Sequence, residues 1–170
     1  TGDEWHLTQL SGFLLLPFVW LYTTITQSTV GIILAARIFY VICHAVVVCI
    51  IYSRLKKYGY FTVFGCVLYF LFTPFDIMAL SYNTMGLDLI ALTGVLMATA
   101  DYQKKLPLII SGLTFAGAVL CCPYLVAVYV IYLVAVGVHY VIKRTSLNKN
   151  VFNSDLFSIK TFLWFTVGAG

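Results

Sequence analysis

Asp3, Glu4, His6 and Gln9 crowd into the stretch Asp3-Glu4-Trp5-His6-Leu7-Thr8-Gln9, the one place in this chain of 170 residues where carboxylates, an imidazole and an amide stand together. Asp3 and His6 are three apart, as are His6 and Gln9, so one helical turn sets them along one face. A carboxylate so placed serves as general base toward a hydroxyl, and Asp3, Glu4 and His6 together form a donor set for a divalent cation such as Mg or Mn. The plainer reading is that Asp3 and Glu4 supply negative charge to the start of the helix that follows. The pattern alone leaves both readings open.

A second set lies inside apolar sequence. Arg37 is seven residues, hence about 10 Å, from the start of the run that opens at Val30. Tyr40 and His44 follow three and seven residues later on the same helical face. Asp88 enters another apolar run at a comparable depth, which allows an Arg37–Asp88 ion pair between two segments. The alternative is that Arg37 reaches a watery cavity and holds a phosphate, because a charge in lipid must face protein or water. His44 reads as a hydrogen-bonded packing residue. Ser81, Tyr82 and Asn83 make an unusually polar turn, either a connection or a surface suited to ligand hydroxyls. Cys43, Cys49, Cys66, Cys121 and Cys122 have no metal or redox spacing and read as small packing residues. No GxGxxG, GxxxxGK[ST], HExxH or CxxC pair is present. Gly112 and Gly117, with Ala116, suit close helix packing.

These residues need elements to hold them, and the composition says which. The chain is 62% hydrophobic and 16% aromatic, with 9% charged residues and a mean hydropathy of +0.99. A soluble domain carries roughly 25% charged residues, so too little polar surface exists here to clothe a water-soluble globule. The composition predicts an integral membrane protein and excludes disorder, collagen, a disulfide scaffold and a nucleic-acid binder. The fold class expected is all-α, a polytopic transmembrane helical bundle.

A spanning helix needs about 20 apolar residues, with about 17 tolerated. The runs 30–53, 59–75, 84–100, 106–122 and 124–142 meet or approach that length, giving four to five spans over residues 30–142. A further span begins at 157 and reaches 170, so the chain reads as a single transmembrane domain, a fragment of a longer protein. Pro74, Pro107 and Pro123 fall at segment edges, where a missing N–H costs least. Arg54, Lys56 and Lys57, then Lys104 and Lys105, then Lys143, Arg144 and Lys149 mark three loops as cytoplasmic by the positive-inside rule. Two spans separate each cluster from the next, as three loops on one side require. The opposite face then receives residues 1–29, the turn 73–84 and the break 121–124. Residues 10–27, with Pro17, Trp20 and Tyr22, read as a helix lying along the outer surface in preference to a marginal span.

The order of these features resembles the core of the GT-C-type membrane glycosyltransferases, including the dolichyl-phosphate-mannose and aminoarabinose transferase relatives. In that family a first span is followed by an external acidic loop and a proline-bearing surface helix, to which GDEWHLTQLSGFLLLPFVWLY is similar. The family's next span often carries an arginine near its outer end, as GIILAARIFYVI does with Arg37. Its lysine, apolar helix, Ala/Gly-rich stretch and lysine-proline pattern is similar to KKLPLIISGLTFAGAVLCCPYLVAVYVIYLV. Cys122 stands where a lysine often precedes that proline. The family's first span and the start of its acidic loop are not in the sequence, so its usual catalytic aspartate is expected upstream, with Asp3 and Glu4 as a second acidic pair.

The resemblance implies inverting transfer of a sugar from a polyprenyl-phosphate donor to a glycan, lipid or protein acceptor, outside a bacterial plasma membrane. It gives Asp3 or Glu4 the role of base or metal ligand, His6 that of metal or phosphate partner, and Arg37 that of phosphate contact. Gln9, Tyr82 and Asn83 join the expected substrate-binding set. The competing class is a transporter or flippase of lipid-linked sugars, with Arg37, His44 and Asp88 lining a pathway.

Overall fold

The computed structural model describes residues 10–73, 79–145 and 155–170. Among the described residues every regular element is helical: α1 (Leu10–Thr26), α2 (Ile32–Leu55), α3 (Tyr60–Leu71), α4 (Tyr82–Ala98), α5 (Lys105–Cys121), α6 (Val126–Thr145) and α7 (Ile159–Ala169). Short 3-10 turns at Lys56–Tyr58, Pro123–Leu125 and Asp155–Phe157 join or precede them. Two stretches, Ile32–Tyr58 and Pro123–Lys143, are long and apolar enough to cross a membrane, with hydropathies of 2.4 and 2.3. They coincide with the expected runs 30–53 and 124–142.

The shorter helices follow local chemistry. Gly59 separates α2 from α3 at φ +64 and ψ −136, a backbone conformation open to glycine and strained for other residues. Helix α3 has 12 residues, about 18 Å of rise, so it fills only part of the expected span 59–75. Its end at Leu71 passes into extended backbone at Phe72, two residues ahead of Pro74. Pro107 sits in the first turn of α5, where its missing N–H leaves no orphan carbonyl.

Packing is carried chiefly by α4 against α5 and by α5 against α7, with α2 touching α3 and α4. Met97, Leu108, Phe115 and Phe165 form the buried apolar cluster at this centre. Thr93 and Thr114 share a hydroxyl hydrogen bond of 2.9 Å between α4 and α5, and Tyr129 meets Thr166 at 3.0 Å between α6 and α7. Such bonds hold helices together where no water competes. The outward faces stay apolar: Phe13, Leu34, Phe64, Leu113 and Val134 are all exposed. In α1 the Phe18 ring stacks on Phe39 of α2 at 4.8 Å. Phe18 lies eight residues before Thr26 and Phe39 seven after Ile32, about 12 and 10 Å from the corner. This ring stack bridges the α1–α2 corner, and α1 also touches α4 and α5.

Gly112 fulfils the close-packing expectation. A Cβ on it would collide with the Phe165 carbonyl, and a Cβ on Gly168 would collide with the Ile109 carbonyl. The α5–α7 crossing is therefore backbone against backbone. Gly117 plays a different part, facing the flexible Leu89 side chain of α4 at 3.2 Å. Gly112→Ala and Gly168→Ala are each expected to cost roughly 3 kcal/mol by forcing the helices apart, while Gly117→Ala costs under about 1 kcal/mol. Unfolding of the three variants by sodium dodecyl sulfate from a mild detergent ranks them; equal losses would remove the crossing from the account.

Candidate functional site

Helix α4 starts from a reciprocal cap. Ser81 N–H donates to Thr84 Oγ1 at 2.9 Å and Thr84 N–H donates to Ser81 Oγ at 3.3 Å. Thr84 Oγ1 also donates to the Ala79 carbonyl at 2.7 Å, so a buried threonine anchors the turn. This leaves Tyr82 exposed and Asn83 half-buried in the first turn of the helix. On the other side of α4, Gly86 admits Cys122: a Cβ there would lie 2.5 Å from Cys122 Sγ, and the thiol donates to the Tyr82 carbonyl at 3.0 Å. At the position where the resemblance would place a lysine, this chain has a buried thiol locking the α5 end to the α4 start.

Below that turn the structure builds a polar centre from three helices. Asp88 of α4 is 7% exposed and His44 of α2 is 3% exposed. His44 Nδ1 meets Asp88 Oδ1 at 2.8 Å, and Tyr69 of α3 donates its phenol to the same Oδ1 at 2.8 Å. His44 Nε2 meets the Tyr69 carbonyl at 3.3 Å. A carbonyl only accepts, so Nε2 carries a proton and donates it. One further proton is then shared between Nδ1 and Oδ1, and the pair is neutral overall wherever that proton sits. The rings of Tyr40 and Phe70 stack on the imidazole at 5.6 Å each, and Tyr69 lies tilted at 5.2 Å. Asp88 Oδ2 takes no hydrogen bond among the described residues.

The expected Arg37–Asp88 pair is therefore corrected: Asp88 is held by His44 and Tyr69. The reason is an offset between helix ends. His44 lies 12 residues below Ile32, about 18 Å, whereas Asp88 lies six residues below Tyr82, about 9 Å. Equal depth from unequal ends is not equal height, and α2 overtops α4 by about 9 Å. The same offset does something the sequence reading did not foresee. Arg37, seven residues above His44 on one face of α2, comes within about 3 Å of the level of Tyr82 and Asn83, the three lying about 7 to 11 Å above the buried pair. Arg37 is exposed and makes no ion pair or hydrogen bond among the described residues. His44, read as a hydrogen-bonded packing residue, has that role; Tyr69 was missed, because nothing in its local sequence marks it as facing a carboxylate.

Asp3, Glu4, His6 and Gln9 lie outside the described residues, as does Asp76. Among the described residues no group of three or more His, Cys, Asp or Glu side chains is arranged to hold a metal ion. The divalent-cation expectation thus rests on Asp3, Glu4 and His6 alone. All five cysteines are free, with Cys66, Cys121 and Cys122 buried. Compared with family models, with curated proteins and with solved structures, the chain matches none.

Proposed function

We propose that this chain is the membrane-embedded part of a multi-pass glycosyltransferase that moves a sugar from a polyprenyl-phosphate donor to an acceptor hydroxyl on the outer face of a bacterial plasma membrane. The observation that carries the reading is Arg37. An exposed guanidinium on an apolar helix, with no carboxylate partner among the described residues, needs an anion, and phosphate suits its planar fork. The backbone beside it supports a polar vestibule. Helix α3 ends at Leu71, two residues past Tyr69, with Phe72 N–H closing its last turn on the Leu68 carbonyl, whereas α2 continues five residues beyond Arg37 to Ile32, so the non-helical residues 73, 79 and 80 lie beside helix that is still apolar. Irregular backbone at that level is tolerable only against protein or water.

In this reading Arg37 holds the donor phosphate, and Tyr82 and Asn83, close to its height, contact the sugar hydroxyls. Asp3 or Glu4 removes the proton of the acceptor hydroxyl; its oxygen bonds to the anomeric carbon as the bond to phosphate breaks, and the phosphate keeps that electron pair. His6 and Gln9 complete the acidic strip. A divalent cation, for which Asp3, Glu4 and His6 are a suitable donor set, would add charge stabilisation to the departing phosphate. Positive loops on the cytoplasmic side and α1 near the outer boundary complete the topology. Helices α4 and α5, at 17 residues each, reach the lower limit for crossing.

The test is Arg37→Ala against Arg37→Lys in the full-length protein, reconstituted with a polyprenyl-phosphate-sugar. Alanine is expected to weaken donor use about 10- to 100-fold, mostly as a raised KM, with lysine recovering part of it. Unchanged donor kinetics in Arg37→Ala would remove the phosphate role. A transporter of lipid-linked sugars is the second reading, favoured by the buried His44–Asp88 pair, since such pairs recur in proton relays. Flux of a labelled lipid-linked sugar without bond transfer would select it.

A further inference from the structure

At the far end of α6 from Pro123, a cavity of about 280 Å³ is lined by His139, Tyr140, Lys143, Asp155, Phe157 and Ser158, together with Ile159. Nothing in the transferase reading uses it. Lys143 closes the apolar stretch Pro123–Lys143, and Asp155 opens the turn that leads into α7. If α6 spans, Lys143 stands at the level of lipid headgroups, and so does the mouth of this cavity.

The lining carries one cation and one anion that do not neutralise each other. Among the described residues the ion pairs are His44–Asp88 and Lys104–Asp101, so Lys143 and Asp155 line the cavity without an ion-pair partner among them. Ser158 makes no capping hydrogen bond to α7, which leaves its hydroxyl available at the same wall. The rings of Phe157 and Tyr140 supply apolar sides, as at a membrane boundary where aromatic bodies meet acyl chains and polar tips meet headgroups. Two opposite charges across one small cavity match a ligand that carries both.

We propose that this cavity binds a phosphoethanolamine group, the headgroup of an aminophospholipid. Lys143 and Ser158 take the phosphate, and Asp155 takes the primary ammonium. The carboxylate supplies the selectivity: it accepts hydrogen bonds from a primary ammonium, whereas a quaternary choline offers no N–H donor. An anionic glycerol headgroup would satisfy Lys143 and leave Asp155 repelled.

The test places the full-length protein in phosphatidylcholine nanodiscs doped with equal amounts of phosphatidylethanolamine and its N-methylated forms, and counts retained lipids by native mass spectrometry. Phosphatidylethanolamine is expected to be retained over phosphatidylcholine by about tenfold, with retention falling as each methyl replaces an N–H. Lys143→Gln and Asp155→Asn should each erase the preference, and the exchange of Lys143→Asp with Asp155→Lys in one chain should restore part of it. Equal retention of the two lipids, or a preference surviving in both single variants, would overturn the site. Soluble O-phosphoethanolamine at matched concentration is expected to leave the lipid in place; displacement would overturn the lipid assignment. None of these readouts depends on sugar transfer.

Discussion

Alanine at both Asp3 and Glu4 is expected to lower sugar transfer by about 10²- to 10⁴-fold in the full-length protein while membrane insertion stays normal. That range is what a positioned base contributes to removing a hydroxyl proton, a barrier change of roughly 3 to 5 kcal/mol. The two single variants separate the roles. If one carboxylate is the base, its alanine variant carries nearly the whole loss in kcat, and the other moves the dependence on Mg or Mn. His6→Ala belongs with the second group, shifting metal or donor dependence more than the rate at saturation. Full activity in the double variant would take these residues out of the reaction.

The second large effect is structural. Asp88→Leu is expected to cost about 3 to 5 kcal/mol, because it leaves His44 buried among three rings with Nδ1 unpartnered and the Tyr69 phenol without its acceptor. Replacing the whole cluster, His44→Phe with Asp88→Leu and Tyr69→Phe, should recover most of that loss, since a buried ion pair is worth little against well-packed apolar groups. Detergent unfolding of the single and triple variants measures both. A loss under about 1 kcal/mol in Asp88→Leu would mean that the three groups are not bound to one another as described. The triple variant also serves the functional question: if sugar transfer survives in it, the cluster is a helix lock, and if flux of a lipid-linked sugar is lost, it is part of a pathway.

Much of the scaffold was legible because long apolar runs admit few solutions. The runs at 30–53 and 124–142 are apolar long enough to admit only helix, and Pro107 and Pro123 fall where a helix or turn begins. Gly112 likewise reads as a packing glycine from its neighbours in SGLTFAG. Its partner did not, since Gly168 lies 56 residues away on a helix that also contains Phe165, and only the fold brings the two backbones together. The Arg37–Asp88 expectation failed for a related reason. Sequence gives each residue's depth from its own helix end, whereas partnership depends on the relative height of two ends. That height depends on where Gly59 turns the chain and where α3 ends at Leu71, and neither distance is written in the periodicity of α2 or α4.

The same offset is what gives the site its coherence. Arg37, Tyr82 and Asn83 were selected separately, for charge in an apolar run and for a polar turn, and helical rise sets them within about 3 Å of one level above the His44–Asp88–Tyr69 centre. The proposed chemistry requires the acidic strip of residues 3–9 to lie on the outer side, so the proposal stands or falls with the orientation of the chain.

That orientation is open to one direct measurement: labelling of intact cells by a membrane-impermeant maleimide at Thr8→Cys and, separately, at Lys104→Cys. The five native cysteines lie within apolar segments and serve as the blank. The account predicts rapid labelling at position 8 and none at position 104 until the cells are opened. Labelling at 104 with position 8 shielded would place the carboxylates in the cytoplasm, away from any outward-facing donor, and would contradict it.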